Sequence, residues 1–217
     1  IKMKTNQTQV SIETNTETMS RFFDRCYEEG LFLGFDSDEQ ACVERLIELF
    51  NIKPEEQIVE PGCGCGRLTS LLSEKIGYGG MITACEISPK MFQHCLELNL
   101  PPYVCFYNST VINLNLPHNS ADHIICFNVW PHLESPDSHL EYFSKILKRG
   151  GVLHIAHSCG REFINKIHGD ASDSMIKKHL LPSAEELAKH LSLNGWEIAL
   201  FLDEEDIYSV SYTHLTL

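Results

Sequence analysis

The segment QIVEPGCGCG, residues 57–66, combines a short apolar run with a glycine-rich turn. A helical apolar pattern follows the turn directly, so the segment predicts a strand, a glycine loop and a helix in that order. The glycines are spaced as G-x-G-x-G, at Gly62, Gly64 and Gly66. Because glycines let backbone amides approach a ligand closely at the carboxyl end of a parallel sheet, the segment also predicts a ligand site.

The spacing of this loop distinguishes between classes of nucleotide-like ligand. Dinucleotide-binding proteins use G-x-G-x-x-G, in which a pyrophosphate meets the N-terminus of the helix. Here the third glycine comes one residue earlier, and Glu60 stands two residues before the first glycine. A carboxylate at that position suits a cationic ligand better than a pyrophosphate. The loop therefore favours a nucleoside that carries an ammonium group.

Apolar runs recur along the rest of the chain and alternate with helical patterns. Further strands are predicted at residues 81–86, 104–107, 122–128, 152–156, 196–202 and 207–210. Strands that alternate with helices form a buried parallel sheet, whereas the last two strands are too close in sequence for a parallel crossover. We therefore predict an α/β fold with a seven-stranded, mostly parallel sheet and a C-terminal antiparallel hairpin.

Length, charge and composition restrict the class of protein. A chain of 217 residues fits one domain with one site. Its net charge of -13 argues against unaided nucleic-acid binding, which depends on lysine and arginine at phosphates. No apolar stretch approaches the roughly 20 residues of a membrane helix, and the N-terminal segment has no secretion signal. We expect a cytoplasmic protein with reduced cysteines, no membrane partner, and a small molecule or a protein as substrate.

The same patterns divide the chain into segments. Residues 36–210 hold the predicted strands and helices and form the ligand-binding domain. Residues 1–35 are predicted to form a tail and a lid, because the part from 14 to 35 is rich in aromatic residues. Residues 158–180 are expected to form the wall opposite the lid. Residues 211–217 have no predicted place in the sheet and are expected to be a disordered tail.

The glycine loop, together with the acid that ends the second strand, resembles the class I S-adenosylmethionine-dependent methyltransferases. The likeness extends from about residue 37 to residue 210, and residues 116–153 are similar to the type 11 subgroup, which methylates small molecules. The resemblance implies a three-layer, Rossmann-like methyltransferase fold and S-adenosylmethionine as the cofactor. It does not identify the molecule that receives the methyl group.

The resemblance also implies particular cofactor contacts. The three glycines of the loop would pass under the methionine part, with Cys63 packed beside the ligand and Glu60 organising the loop. Glu86, the last residue of the second strand, would accept hydrogen bonds from both ribose hydroxyls. Ile87 would flank the adenine.

Two further segments complete the predicted site. After the third strand the family usually has an aspartate followed by a small residue, whereas this chain has Asn108 and Ser109, either of which could meet the adenine amine. After the fourth strand the chain reads Asn128-Val-Trp-Pro-His132, which offers an amide, an aromatic face and an imidazole at the mouth of the site. We expect Asn128 to contact the cofactor.

His132 and His157 are the candidate catalytic bases, because both follow predicted strands and histidine titrates near neutral pH. The alternative for each is an ordinary structural histidine. Histidines at positions 154, 157, 168 and 179 lack the close spacing of a metal site, so no metal is expected.

Three functions remain open from the sequence. The first is methyl transfer from S-adenosylmethionine to an unidentified, small-molecule acceptor. The second is a non-catalytic module that binds S-adenosylmethionine and acts through a protein partner. The third and most remote is an NAD-dependent oxidoreductase, since an acid after the second strand can also hold an NAD ribose. A closed cleft beside His132 would favour an enzyme over a module.

Overall fold

The computed structural model describes residues 14–214. The N-terminal tail predicted before residue 14 lies outside the described residues. No helix between residues 14 and 214 has the length and apolar character that crossing a membrane requires. From the first strand to the fifth, strands alternate with α-helices, except that only a short 3-10 helix lies between the third and fourth strands.

All strands belong to one sheet, in the order β3-β2-β1-β4-β5-β7-β6. Their bounds are β1 Gln57–Pro61, β2 Met81–Glu86, β3 Val104–Asn108, β4 Ala121–Phe127, β5 Leu147–His157, β6 Trp196–Asp203 and β7 Tyr208–His214. Strands β1 to β5 pair in parallel, and β7 runs antiparallel to both β5 and β6. The prediction of a seven-stranded, mostly parallel sheet with a C-terminal hairpin is confirmed.

The helices connect the strands and cover the sheet. Their bounds are α1 Asn15–Glu28, α2 Ser37–Phe50, α3 Arg67–Ile76, α4 Pro89–Glu97, α5 Pro136–Ile146, α6 Arg161–Asp170 and α7 Ala184–Leu193. Short 3-10 helices occur at Gly77–Gly79, Ile112–Leu114, Trp130–His132 and Ile176–Lys178. Helix α4 begins where Ser88 caps it, because the Ser88 hydroxyl accepts a hydrogen bond from the Met91 N–H.

The strands β1, β2, β4 and β5 are mainly buried on both faces, so the sheet has a helix layer on each side. Side chains of α2 and α3 pack on one face against residues such as Ile58 and Ile125. Side chains of α5 and α7 pack on the other face against residues such as Ile124 and Leu153. Neighbouring residues of one strand thus enter different cores, as the alternation of side chains requires. The result is the predicted three-layer α/β arrangement.

The prediction of a disordered C-terminal tail was wrong for residues 211–214. These residues belong to β7, which lies between β5 and β6, and both Ser211 and Tyr212 are buried. The serines of this strand lack the apolar character that marks a buried strand in a sequence. In the fold, Ser211 finds a polar partner, since its Oγ lies 2.7 Å from His154 Nδ1. Residues 215–217 lie outside the described range.

The sheet places the predicted ligand residues along one edge. Strands β1 and β2 pair in register from Gln57 with Met81 to Pro61 with Cys85. The glycine loop after β1 therefore begins beside Glu86, the last residue of β2. The carboxyl ends of parallel strands in such a sheet are where ligands bind.

Candidate active site

A cavity of about 1020 Å³ opens at this edge of the sheet. Helix α1, the loops after β1 to β4 and residues 174–179 contribute its walls. Small-molecule sites occupy about 300–1,000 Å³, so the cavity has room for a nucleoside-sized ligand and a small second molecule. The predicted site residues on the wall are Gly62, Cys63, Gly64, Glu86, Ile87, Ser109, Asn128 and His132. The predicted residues that do not line it are Glu60, Gly66, Asn108 and His157.

The loop requires glycine for two different physical reasons. Gly62, Gly64 and Gly66 have φ angles of 66°, 57° and 74°, in the left-handed region that favours glycine. At Gly62 space is also lacking, because a Cβ atom would overlap the side chain of Val129. At Gly64 a Cβ atom would meet nothing within 4 Å, and the residue lines the cavity. The loop therefore leaves open space on its cavity side.

Glu86 is held in place by backbone amides. Its Oε2 accepts a hydrogen bond from the Gly64 N–H at 2.9 Å, and its Oε1 accepts one from the Ser88 N–H at 2.8 Å. Burial raises the pKa of this carboxyl group, while the backbone hydrogen bonds act in the opposite direction. Each carboxylate oxygen retains capacity for a second hydrogen bond. Glu86 can therefore accept hydrogen bonds from two neighbouring hydroxyl groups.

Glu60 lies beneath the glycine loop. The Thr69 hydroxyl of α3 donates a hydrogen bond to Glu60 Oε2 at 2.7 Å, and the side chain is buried. Burial raises the pKa of this carboxyl group to about 8. Glu60 contacts the helix that follows the loop and does not line the cavity. It could therefore affect a ligand only by fixing the position of the loop.

The structure separates the two residues predicted after β3. Asn108 is exposed, and its Nδ2 donates a hydrogen bond to the backbone carbonyl of Glu86 at 2.8 Å. The backbone N–H of Ser109 donates to the same carbonyl at 3.1 Å. Ser109 and Thr110 line the cavity. Asn108 therefore fixes the turn and does not line the cavity, whereas Ser109, the other residue predicted here, does.

Asn128 follows β4 and is tied to Ser158 by both ends of its amide. Asn128 Nδ2 donates to Ser158 Oγ at 3.0 Å, and Asn128 Oδ1 accepts from the Ser158 N–H at 3.1 Å. The Ser158 hydroxyl donates to Glu39 of α2 at 2.8 Å. Asn128 has a φ of 53°, a conformation that asparagine adopts more readily than most residues. The amide thus fastens the ends of β4 and β5 together at the cavity.

Arg67, the first residue of α3, is a wall residue that the sequence reasoning missed. Its Nη1 donates to the Gly34 carbonyl at 2.8 Å and to Glu39 at 3.0 Å. Its guanidinium also lies 4.2 Å from the centre of the Phe35 ring. A cation directly after a glycine loop was the available signal. Its partners, about 30 residues earlier in the chain, had no signal in the sequence.

Three histidines meet where the segment after β4 approaches residues 174–179. His132 Nδ1 and His179 Nδ1 lie 3.0 Å apart. The ring centre of His168 lies 5.0 Å from that of His132, and His168 Nδ1 is hydrogen bonded to the backbone carbonyl of His179. Phe23 of α1 packs edge-on against His132 at 5.4 Å. Sequence reasoning found His132 but not its pairing with His179.

Burial favours the neutral form of His132. It lowers the pKa of His132 well below the ordinary value, and the neighbouring His168, His179 and His157 lower it further. The pKa of His179 is also lowered, chiefly by burial. A neutral imidazole has one ring nitrogen with a free lone pair. His132 can therefore accept a proton at neutral pH.

His157, the second predicted base, lies behind the wall of the cavity. It is 2% exposed and packs edge-on against Tyr208. Its Nε2 is buried and has no hydrogen-bond partner within the described part of the chain. Burial lowers the pKa of His157 to about 3. The structure therefore gives His157 no direct contact with a molecule in the cavity.

Helix α1 forms one wall and is fastened to two sides of the cavity. Asn15 Nδ2 and Thr16 Oγ1 donate hydrogen bonds to Glu134 at 3.3 Å and 3.1 Å. Further along the helix, Asp24 accepts a hydrogen bond from the Ser88 hydroxyl at 2.6 Å. The helix thus reaches from the segment after β4 to the turn after β2.

Between residues 14 and 214, no group of three or more histidine, cysteine, aspartate or glutamate side chains is placed to hold a metal ion. The cysteines, all within that range, are free thiols. The hydrogen bond with the adjacent thiol of Cys95, together with burial, raises the pKa of the Cys63 thiol on the cavity wall. Such a thiol is a poor nucleophile.

Two sequence comparisons identify proteins to which this chain is similar. Residues 59–155 match the family described as a methyltransferase domain, a range that includes the glycine loop and Glu86. Phosphoethanolamine N-methyltransferase 1 of Arabidopsis thaliana is 25% identical over 177 residues. This match covers 73% of the chain and 36% of that protein, so the chain spans only about a third of its curated relative.

Solved structures share the fold at low sequence identity. A SAM-dependent methyltransferase from Aquifex aeolicus has a TM-score of 0.66 and 19% identity, with 94% of this chain and 100% of that chain covered. The DhpI–SAH complex has a TM-score of 0.70 and 16% identity, with 92% and 96% covered. The shared fold and the family match across the ligand loop agree with the geometry of the site. Residues 59–155 thus match a methyltransferase-domain family, and the fold of the chain is that of S-adenosylmethionine-dependent methyltransferases.

Proposed function

We propose that this protein transfers the methyl group of S-adenosylmethionine to a small-molecule acceptor in the cavity. The observation that supports this best is the hydrogen bond from Gly64 to Glu86, which joins the glycine loop and the acid of β2 in one wall. The cofactor, when bound, supplies a methyl group that its sulfonium sulfur has already activated. The protein then has to hold the two reactants in line and keep water away.

The wall residues fit the parts of the cofactor. Glu86 would accept hydrogen bonds from the ribose hydroxyls at its remaining lone pairs, and the open side of Gly64 would receive the methionine part. We assign the carboxylate of the methionine part to Arg67, whose guanidinium has N–H groups beyond those that contact Gly34 and Glu39. The other cofactor contacts that we propose are with Gly62, Cys63, Ile87, Met91, Ser109, Thr110 and Asn128.

His132 is the residue that we propose as the general base. It lines the cavity, and its second ring nitrogen makes no hydrogen bond within residues 14–214. A base is required only where the acceptor must lose a proton, so the chemistry of the acceptor decides whether His132 acts in this way. Helix α1, which covers this part of the cavity, would act as a lid.

The alternative functions account less well for the cavity. A non-catalytic cofactor-binding module needs no space for an acceptor, whereas this cavity continues from the glycine loop to His132, Glu134 and His179. An NAD-dependent oxidoreductase would need the longer glycine spacing of dinucleotide-binding loops. The enzyme is therefore the first function to test.

Thermal unfolding tests the cofactor. S-adenosylhomocysteine at about 100 times its dissociation constant should stabilise the folded state by about 2.7 kcal/mol. We expect a higher Tm with S-adenosylhomocysteine, a smaller shift in the variant Glu86→Ala, and no shift with NADH. No shift with S-adenosylhomocysteine, or a shift with NADH alone, would contradict the proposed cofactor.

Methyl transfer from labelled S-adenosylmethionine then tests the enzyme. The acceptor panel contains small amines and small hydroxyl compounds, with phosphoethanolamine included because of the named relative. A cell extract depleted of macromolecules extends the panel. Labelled product supports the enzyme, and tight cofactor binding without transfer to any of these molecules would favour the non-catalytic module.

A further inference from the structure

We propose that His132 and His179 form a proton relay, and that the acceptor is therefore a hydroxyl or an amine that carries a proton at neutral pH. This inference rests on the proposed methyl transfer. The transfer forms one bond between the acceptor and carbon, breaks one bond between sulfur and carbon, and leaves the acceptor with a proton to lose. A carboxylate or a phosphate as acceptor has no such proton.

The geometry of the pair determines its protonation. Because the two Nδ1 atoms lie 3.0 Å apart, one of them donates a proton and the other accepts it. Nε2 is then the remaining ring nitrogen of His132, a residue of the cavity wall. His132 Nε2 can accept a proton from the methyl acceptor only if it carries none itself. The proton shared between the two Nδ1 atoms must therefore be bonded to Nδ1 of His132. The relay thus requires one particular tautomer of His132.

The surroundings of His132 disfavour a charge on this residue. Phe23 of α1 and the ring of His168 pack against it. Burial is the main cause of its low pKa, and His157 and His168 add to the effect. A proton that arrives at Nε2 is therefore better accommodated if the Nδ1 proton moves on to His179.

The surroundings of His179 favour the charge more. Burial and His168 lower the pKa of His179, but less than the surroundings of His132 lower the pKa of that residue, because the carboxylate of Asp173 opposes them. Arg25 of α1 pairs with Asp173 at 3.4 Å and moderates that influence. Since His168 Nδ1 faces the backbone carbonyl of His179, it must be the protonated nitrogen of that ring. His168 therefore helps to hold His179 in position.

The proton balance of the relay is simple. His132 Nε2 accepts the proton of the acceptor, and His132 Nδ1 gives its own proton to His179 Nδ1. His179 Nε2 then releases a proton to water. After the product has left, His132 Nε2 gives its proton to water, the shared proton returns to His132 Nδ1 and His179 Nε2 takes up a proton, which restores the starting tautomer. One proton leaves the site for each methyl group transferred, and the positive charge of the sulfonium is lost in the same turnover. His179 is a positioning and relay residue, and it needs no contact with the acceptor.

Nitrogen NMR of histidine tests the relay without an identified acceptor. The sample is the full chain, labelled with ¹⁵N-histidine and bound to S-adenosylhomocysteine. We expect His132 to be protonated at Nδ1 and unprotonated at Nε2 at neutral pH. His179→Asn keeps an acceptor oxygen and should preserve this tautomer, whereas His179→Ala should give averaged signals at both nitrogens. His118→Ala removes an exposed histidine and serves as the control.

A pH titration of the same samples separates a relay from a static hydrogen bond. In the unsubstituted chain, the signals of His132 and His179 should move together as the pH falls, because a pair that shares a proton titrates as a unit. In His179→Asn, His132 should titrate alone and at lower pH. Independent titration in the unsubstituted chain, or a His132 protonated at Nε2, would overturn the relay.

The thermal shift with S-adenosylhomocysteine, measured on the same proteins, keeps the two proposals apart. Its absence would contradict the cofactor site, whatever the histidine signals show. A normal thermal shift together with uncoupled histidines would contradict the relay alone.

Discussion

The two ends of the cavity are held together by different kinds of contact. At the glycine-loop end, backbone N–H groups of Gly64 and Ser88 donate to Glu86, and the Cys63 N–H donates to the Cys85 carbonyl at 3.0 Å. At the histidine end, side chains from distant parts of the chain meet each other, as His132 and His179 do. These contacts involve backbone groups, one carboxylate and a few glycines at fixed positions, so a short motif is enough to specify them.

This difference has a consequence for function. A loop fixed by its own backbone can hold the same cofactor in many relatives, whereas a wall of side chains can be exchanged to suit a new acceptor. In this chain the exchangeable wall consists of α1, the segment after β4 and residues 174–179. If the two ends are independent, substitutions at one end should leave the other intact.

The substitution His132→Asn should have the largest effect. This effect should be on methyl transfer, at the histidine end of the cavity, and not on cofactor binding. Loss of general-base catalysis typically lowers turnover by about 10²–10⁴-fold. Asparagine can still hydrogen bond to His179, so we expect an unchanged dissociation constant for S-adenosylhomocysteine. Methyl transfer and calorimetric binding measure the two quantities, with His118→Asn as the matched control. Weakened cofactor binding in His132→Asn would show that the two ends are coupled.

The substitution Gly62→Ala should weaken cofactor binding at the glycine-loop end of the cavity. A Cβ atom would overlap Val129, and overpacking costs about 1–3 kcal/mol. The φ of 66° adds roughly 1–2 kcal/mol for a residue with a side chain. We expect the affinity for S-adenosylhomocysteine to fall by at least about 30-fold, since every 1.4 kcal/mol is tenfold.

Gly30→Ala is the matched control for this substitution. Gly30 has a φ of 79° but no atom within 4 Å of a Cβ position, and it does not line the cavity. It should lower the Tm slightly and leave binding unchanged. Equal loss of binding in both variants would mean that general destabilisation of the fold, and not the contact with Val129, weakens binding.

The substitution Glu86→Gln changes the glycine-loop end of the cavity without adding a steric overlap. Each carboxylate oxygen already accepts a backbone N–H, so the amide NH₂ of glutamine would have to face one of those donors. Hydrogen bonds to charged groups contribute about 1.5–3 kcal/mol, which predicts roughly 10- to 100-fold weaker cofactor binding. Glu141→Gln, on an exposed position of α5, removes a charge elsewhere as the control. An equal affinity in Glu86→Gln would exclude Glu86 as the ribose ligand.

The sequence predicted those parts of the fold that local chemistry determines. The glycine loop, the acid that ends β2 and the Ser88 cap of α4 all follow from residues within a few positions of one another. Asn108 shows the limit of this reasoning. It stands where the family has a cofactor contact, yet its amide is turned to the backbone of Glu86.

The missed features depend on contacts between distant segments. The pairing of His179 with His132 requires the path of residues 158–180, where helix α6 has no buried residue and the sequence therefore does not show how the segment packs. The last residues of β7 were missed because the serines of that strand do not look like core residues. Arg67 was visible in the sequence, but its role depends on Glu39, which only the fold brings near.

The substitution Glu134→Gln should have the smallest effect and concerns the attachment of α1. Asn15 and Thr16 donate hydrogen bonds to this carboxylate at exposed positions, and glutamine retains one acceptor oxygen. A net contribution of about 0.5–1.5 kcal/mol for such a bond predicts faster hydrogen exchange in the first turn of α1 and an acceptor KM raised a few-fold. Cofactor binding should not change. Glu141→Gln again provides the control, and unchanged exchange in α1 would show that Glu134 does not fasten this helix.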